Sequence, residues 1–221
     1  MSSAAGVSIR SLLKQQGKAM DMHVLAGKKG LDRTIEHPRI NKPSLAFAGF
    51  MDSLDDSHLQ VIGHTELNYL ATRPPAEQRQ VVQALFERHL AGVVIARGLT
   101  PPDIVIEAAE NTDTPLLSTS LESHLFISQM MVFLARKLAP VSYQHGVYLD
   151  IFGLGVLLIG PSGIGKSEIG LELISRGHRL VADDMVELVR QGSDIIVGHS
   201  PAALRYHMEI RGLGVLNIRD M

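Results

Sequence analysis

Cysteine is absent from all 221 residues, which excludes disulfides, thiolate metal sites and thiol nucleophiles. No apolar run approaches the ~18 residues that a membrane-spanning helix needs. The opening MSSAAGVSIRSLL lacks the basic-then-apolar order of a secretory signal. Charge of one sign is missing too: 21 Lys and Arg against 23 Asp and Glu give a formal −2. With no Lys/Arg cluster, nothing draws the chain toward nucleic acid in general. His199 and His207 stand too far apart, without an H-E-x-x-H pattern, to suggest zinc. Neither a nucleophile elbow nor a sugar-cleaving carboxylate pair occurs, and there is no internal repeat or low-complexity tract. These absences predict a cytoplasmic protein that engages neither membrane nor nucleic acid.

What is present is core material. Hydrophobic residues make up 45% and charged residues 20%, enough for one large or two small domains. The first part, residues 1–138, opens with an amphipathic helix around Ile9 to Gln16 and the apolar stretch Val24-Leu25-Ala26. Its patterning then alternates: a strand at 59–63, a helix at 75–90 carrying Val81, Val82, Leu85 and Phe86 on one face, and a strand at 92–96. A short helix at 102–110, a strand at 115–118 and a helix at 122–138 follow. Alternating strands and helices predict a small parallel α/β domain. Residues 139–142, with Pro140 unable to continue a helix, form the linker candidate. Beyond it, 143–221 reads as strands at 146–151, 156–159 and 179–182, and a hairpin over 185–198.

The strand at 156–159 runs into Gly160-Pro161-Ser162-Gly163-Ile164-Gly165-Lys166-Ser167, a complete G-x-x-x-x-G-K-[ST] phosphate loop. The helix over 168–176 follows it, with Gly177 placed to end it. Glycines at 160, 163 and 165 let the backbone curl so that successive N–H groups face phosphate oxygens. The helix start adds its positive dipole end. Lys166 supplies a mobile charge to the outer phosphates, and the Ser167 hydroxyl is placed for Mg2+. A glycine-rich turn matching the bare pattern arises by chance in roughly one chain per hundred of this length. The flanking strand and helix make binding of a nucleotide or other polyphosphate much the better reading.

The strand at 179–182 ends on Asp183-Asp184. Aspartates favour solvated turns on ordinary grounds. In phosphate-loop proteins, however, the next strand commonly presents an Asp to the metal beside the loop Ser. His145 alone, at a strand edge, carries no assignable role.

Together, His145, GPSGIGKSE (160–168), LVADD (180–184) and above all MEIRGLGVLNI (208–218) closely resemble the HPr kinase/phosphorylases. These bacterial enzymes phosphorylate a regulatory serine of HPr, the small phosphocarrier protein of sugar uptake, and remove that phosphate by phosphorolysis. GLDR (30–33), INKPSLAFAGF (40–50) and QVIGHTE (60–66) resemble the family's N-terminal domain, so the likeness spans nearly the whole chain. The expected fold class is therefore α/β: a small parallel N-terminal domain followed by a phosphate-loop kinase-like domain.

The resemblance implies that 160–167 hold ATP and that Ser167 and Glu209 ligate Mg2+. It implies Asp184 as general base toward the serine and as general acid when inorganic phosphate attacks phosphoserine to give pyrophosphate. His145 matches the catalytic histidine near the phosphate site, and Met208 to Asn217 the segment tied to both directions. Without the resemblance, Glu209 and Arg211 read as a surface charge pair, and Gly212 with Gly214 as a flexible turn. The family is homohexameric, and its catalytic domain continues beyond the residue matching Met221, into a catalytic arginine, a dephosphorylation loop and C-terminal helices. That predicts exposed apolar surface on the second domain and weak or absent catalysis. Two other classes remain open: a phosphate-loop small-molecule kinase of carboxykinase type, and a non-catalytic nucleotide-binding module.

Overall fold

The computed structural model describes residues 6–192 and 194–201, with the backbone alone for Ser53, 207–210 and 214–217. The chain divides into two compact units, one running to Leu138 and the other starting at Ala139.

In the first unit, β1 (Val7–Ser8) leads directly into α1 (Ile9–Gln16). The Ser8 hydroxyl caps that helix by accepting from the Ser11 N–H at 3.2 Å. β2 (Met22–Ala26) follows, and then β3 (Thr34–Ile35), which pairs antiparallel with β1. The main sheet adds β4 (Ile40–Asn41), β5 (Leu59–Ile62), β6 (Gly92–Ile95) and β7 (Leu116–Thr119) in the order β2-β7-β6-β5-β4. Strands β4 to β7 are parallel, and β2 closes one edge antiparallel to β7. The connections hold α2 (Ser44–Phe47), α3 (His64–Ala71), α4 (Pro75–Phe86) and α5 (Asp103–Asn111); α6 (Ser123–Lys137) comes after β7.

Every residue of β5 and β6 is buried, as expected of parallel strands covered on both faces. Period-two alternation sorts their side chains. Val61, Val94 and Leu117 pack on Ile9 and Leu12 of α1 and on Phe126, Met130 and Leu134 of α6. Ile62, Val93, Ile95 and Leu116 pack on Leu70 of α3, Val82 and Phe86 of α4, and Val105 of α5. Each such side chain contributes about 1.5–3 kcal/mol by leaving water. The chain thus leaves β5 toward one face and β7 toward the other. α3 is a helix beyond those the sequence predicts. Its start is fixed by Glu66, whose Oε2 reaches back to accept from the Gly63 N–H at 2.9 Å.

The second unit is built from antiparallel pieces. β9 (Val147–Ile151) lies between β10 (Leu154–Leu158) and β11 (Arg179–Ala182). β12 (Met185–Gln191) lies between β8 (Val141–His145) and β13 (Ile195–His199). α7 (Lys166–Ser175) follows β10, and β14 (His207–Ile210) pairs with β15 (Gly214–Asn217).

The linker assignment needs correcting. Val141 and Ser142 open β8, opposite Val189 and Leu188, and Pro140 already accepts a hydrogen bond from Arg190 N–H. All five β8 residues are exposed, so this strand adds nothing to the core.

The core of this unit is thin. Val147 and Leu149 are buried, with Leu158, Leu171 and Leu180 half-buried against them. Phe152, Leu154, Ile159, Ile164, Ile195 and Ile196 are exposed, Phe152 at 89%. The exposed apolar surface expected from the sequence is there.

Candidate active site

Three segments of the second unit meet at one cavity of about 420 Å3. The first is the turn from β10 to α7. Gly163 and Gly165 adopt φ of +83° and +98°, in the left-handed region where a side chain is strained. Gly165, at the cap of α7, has no side chain to accept from the opening amides of the helix. The Lys166 ammonium folds back over the loop and donates to the carbonyls of Gly160 and Pro161, both at 2.9 Å.

The second segment is the Asp183-Asp184 corner between β11 and β12. Asp183, only 6% exposed, accepts from the Ser167 hydroxyl across 3.4 Å. Its carbonyl accepts from the Met185 N–H at 2.9 Å, which closes the corner. Asp184 sits at φ +67°, a conformation that Asp tolerates better than most side chains, and its carboxylate points to solvent.

The third segment is the end of β8. His145 lies opposite Met185 in the ladder. Its Nδ1 is 3.2 Å from the Asp184 carbonyl and 3.6 Å from Asp184 Oδ1. A carbonyl only accepts, so this bond requires the proton on Nδ1. The neighbouring Gly146 N–H donates to the same carbonyl at 3.1 Å. The pair is about three-quarters exposed on both sides, so its attraction is weak and serves placement more than stability.

His145, Gly160, Lys166, Ser167 and Asp184 all line the cavity, as do Ser162, Gly163 and Gly165 from the loop. Glu209 lies in β14 opposite Val215, and β14 passes close to α7, but its side chain is outside the described residues. Asp183 was recognised in the sequence only as half of a pair. The signal was its position: the first residue past a strand is still held by the sheet, and here that turns it toward the loop serine.

The donor set suits a hard cation. The described residues contain no group of three or more His, Cys, Asp or Glu placed to hold a metal. Ser167 and Asp183 offer two oxygens, and adjacent corners of a Mg2+ octahedron lie about 3 Å apart. Phosphate oxygens and water would complete such a shell, as is usual for this ion.

Fold and site together define a phosphate-loop domain joined to a separate, mainly parallel α/β domain. Residues 7–134 match the family described as HPr Serine kinase N terminus, and residues 136–221 match the HPr Serine kinase C-terminal domain. An HPr kinase/phosphorylase of Leptospira biflexa is 39% identical over 216 residues, covering 98% of this chain and 67% of its own length. One from Geobacter sulfurreducens is 40% identical over 215 residues, covering 97% of this chain and 67% of its own. A solved Hpr(Ser) kinase/phosphatase from Coxiella burnetii shares 38% identity over 35% of this chain and 46% of its own, with a TM-score of 0.33. The chain belongs to the HPr kinase/phosphorylase family, and spans about two thirds of the length of these curated relatives.

Proposed function

We propose that this protein transfers the γ-phosphoryl group of ATP to a serine of HPr, and returns that serine to its free form by phosphorolysis. The observation that carries the reading is the convergence of Lys166, Ser167, Asp183, Asp184 and His145 on one cavity. Phosphoryl transfer needs alignment and charge neutralisation more than covalent help. An incoming phosphate exchanges the two neutral carbonyl acceptors of Lys166 for charged oxygens, and the loop and α7 amides orient it. Ser167 and Asp183 hold Mg2+, with Glu209 as a further candidate ligand; the ion, when bound, neutralises charge on the outer phosphates.

Asp184 takes the proton of the serine hydroxyl as that oxygen bonds to the γ-phosphorus and the bond to ADP breaks. In the other direction, inorganic phosphate attacks the phosphoserine phosphorus and pyrophosphate forms. The departing serine oxygen then recovers its proton from Asp184. His145 acts by positioning: Nδ1 steadies the corner that carries the carboxylate. We place this chemistry in the cytoplasm, where ATP and HPr would meet; among the described residues no helix is long and apolar enough to cross a membrane. A homohexamer is the assembly the resemblance implies, and sedimentation would test it.

The thin core and exposed apolar residues of the second unit favour one further reading, in which the chain binds nucleotide but transfers little. Incubation with γ-labelled ATP and HPr separates the two. Label on the HPr serine, lost on addition of inorganic phosphate with release of labelled pyrophosphate, supports the enzyme. Saturable nucleotide binding with no labelled acceptor supports the module. Label on a metabolite and none on HPr would defeat both.

A further inference from the structure

The first unit has its own polar cleft, of about 270 Å3, built independently of the phosphate loop. It lies at the carboxyl edge of the parallel strands, and each of the four contributes. Lys42 follows β4, His64 and Thr65 follow β5, Arg97 follows β6, and Glu122, Ser123 and His124 follow β7. Because the chain leaves β6 for one face of the sheet, toward α5, and the neighbouring β7 for the other, toward α6, the two loops diverge and a crevice opens between them. In open α/β sheets that is where ligands settle.

Three observations give the cleft a chemical character. First, its cations are loosely engaged. Lys42 Nζ is 3.5 Å from both Glu66 oxygens, and Arg97 is 3.6 Å from Glu122. Charge-assisted hydrogen bonds normally close to about 2.7–2.9 Å. The Glu66 carboxylate is satisfied beneath the cleft by the Ser44 hydroxyl at 2.7 Å and the Gly63 N–H at 2.9 Å, so its hold on Lys42 is divided.

Second, these groups crowd around Gly63. A Cβ there would lie 2.6 Å from the Ser123 hydroxyl and 3.3 Å from Glu66 Oε2, so a side chain at this position would push the hydroxyl from its place in the cleft. Third, Arg97 is held at φ +66°, a costly conformation for a long side chain. Its N–H donates to Leu121 and that of Gly98 to Thr119, both at 2.8 Å. The next residue is a glycine also at positive φ, so an arginine at 97 places a guanidinium where glycine would have served the turn alone.

We propose that this cleft binds a small dianionic ligand, a phosphate group free or on a metabolite-sized ester. Arg97 and Lys42 neutralise it, and the hydroxyls of Ser123 and Thr65 complete its hydrogen bonds. Glu122 moves from partial partner of Arg97 to the rim, while His64 and His124 flank the opening.

The test uses the full chain carrying Lys166→Ala, so that the phosphate loop contributes little, and follows amide resonances during titration with inorganic phosphate and, separately, glycerol 3-phosphate. Saturable shifts at Gly63, Thr65, Gly98 and Ser123 are expected. Tighter binding of the ester identifies a metabolite as ligand; equal binding identifies phosphate itself. Adding Arg97→Gly, which suits the backbone, is expected to weaken binding about tenfold while the unfolding temperature holds or rises. Lys42→Gln, at an exposed side chain, serves if that variant folds poorly. Shifts confined to residues 160–167 overturn the proposal, as does a loss of less than threefold in both variants.

Discussion

The Ser167 hydroxyl and the buried Asp183 carboxylate face each other across 3.4 Å, longer than the 2.7–2.8 Å usual for O–H···O contacts. The pair is nearly at the spacing of two ligands on one small cation. Asp183→Asn keeps the shape and removes the charge. It is expected to weaken ATP binding about tenfold in the presence of Mg2+ and to leave binding in excess chelator unchanged. Calorimetry under both conditions checks this, and equal losses in the two would assign Asp183 a purely structural part.

Lys166→Ala removes the ammonium that folds back over the phosphate loop to the Gly160 and Pro161 carbonyls. A unit charge about 4 Å from its partner is worth roughly 4 kcal/mol at an effective dielectric near 20. Expressed in the transition state, that is about three decades of rate. Transfer to HPr is expected to become nearly undetectable, and activity within a factor of a few of the parent would contradict the assignment.

Asp184→Asn separates chemistry from folding. Asn tolerates the left-handed backbone as Asp does, so stability should stay within about 0.5 kcal/mol of the parent and nucleotide affinity should hold. A general base typically contributes about 10²–10⁴-fold, and both phosphorylation and phosphorolysis should fall by that range. Loss of one direction alone would show that the two do not share this carboxyl.

Glu66 makes a prediction for the first unit. Burial acts to raise its pKa, but the Ser44 hydroxyl, the Gly63 N–H, its own backbone amide and the Lys42 charge outweigh that and hold it below the ordinary 4.5. A carboxyl depressed in the folded state stabilises fully above its unfolded value, and less as the pH drops through its folded one. Glu66→Gln is expected to cost about 1–3 kcal/mol at neutral pH. The difference from the parent should shrink progressively below about pH 4.5, as denaturant unfolding across that range would reveal. A constant gap would place the cost in packing instead.

The elements that were legible in the sequence are those whose pattern runs long enough to declare a period. α4 and α6 show their apolar faces, and β6 is a continuous apolar run because both of its sides are covered. The phosphate loop was legible because its glycines, lysine and serine are consecutive. β8 was hidden behind Pro140: Val141 and Tyr143 alternate with Ser142 and Gln144, but the break in the helix made the start of the strand read as a linker. The two-residue strands β1, β3 and β4 are too short to show a period, and α3 is defined by a carboxylate reaching back three residues. The pairing of His145 with Asp184 joins residues 39 positions apart, so family likeness pointed to the histidine where local pattern did not. The cleft around Arg97 draws on four separated loops and left no local trace at all.

Because His145 faces Met185 at the very end of the β8–β12 ladder, its place beside the acidic corner is inherited by counting. Positions 141–144, outward-facing as they are, can exchange side chains widely without disturbing it. A single inserted or deleted residue in that strand would rotate the imidazole to the opposite side of the ribbon. Selection on β8 is thus expected to act on spacing more than on identity, preserving length where it lets composition drift.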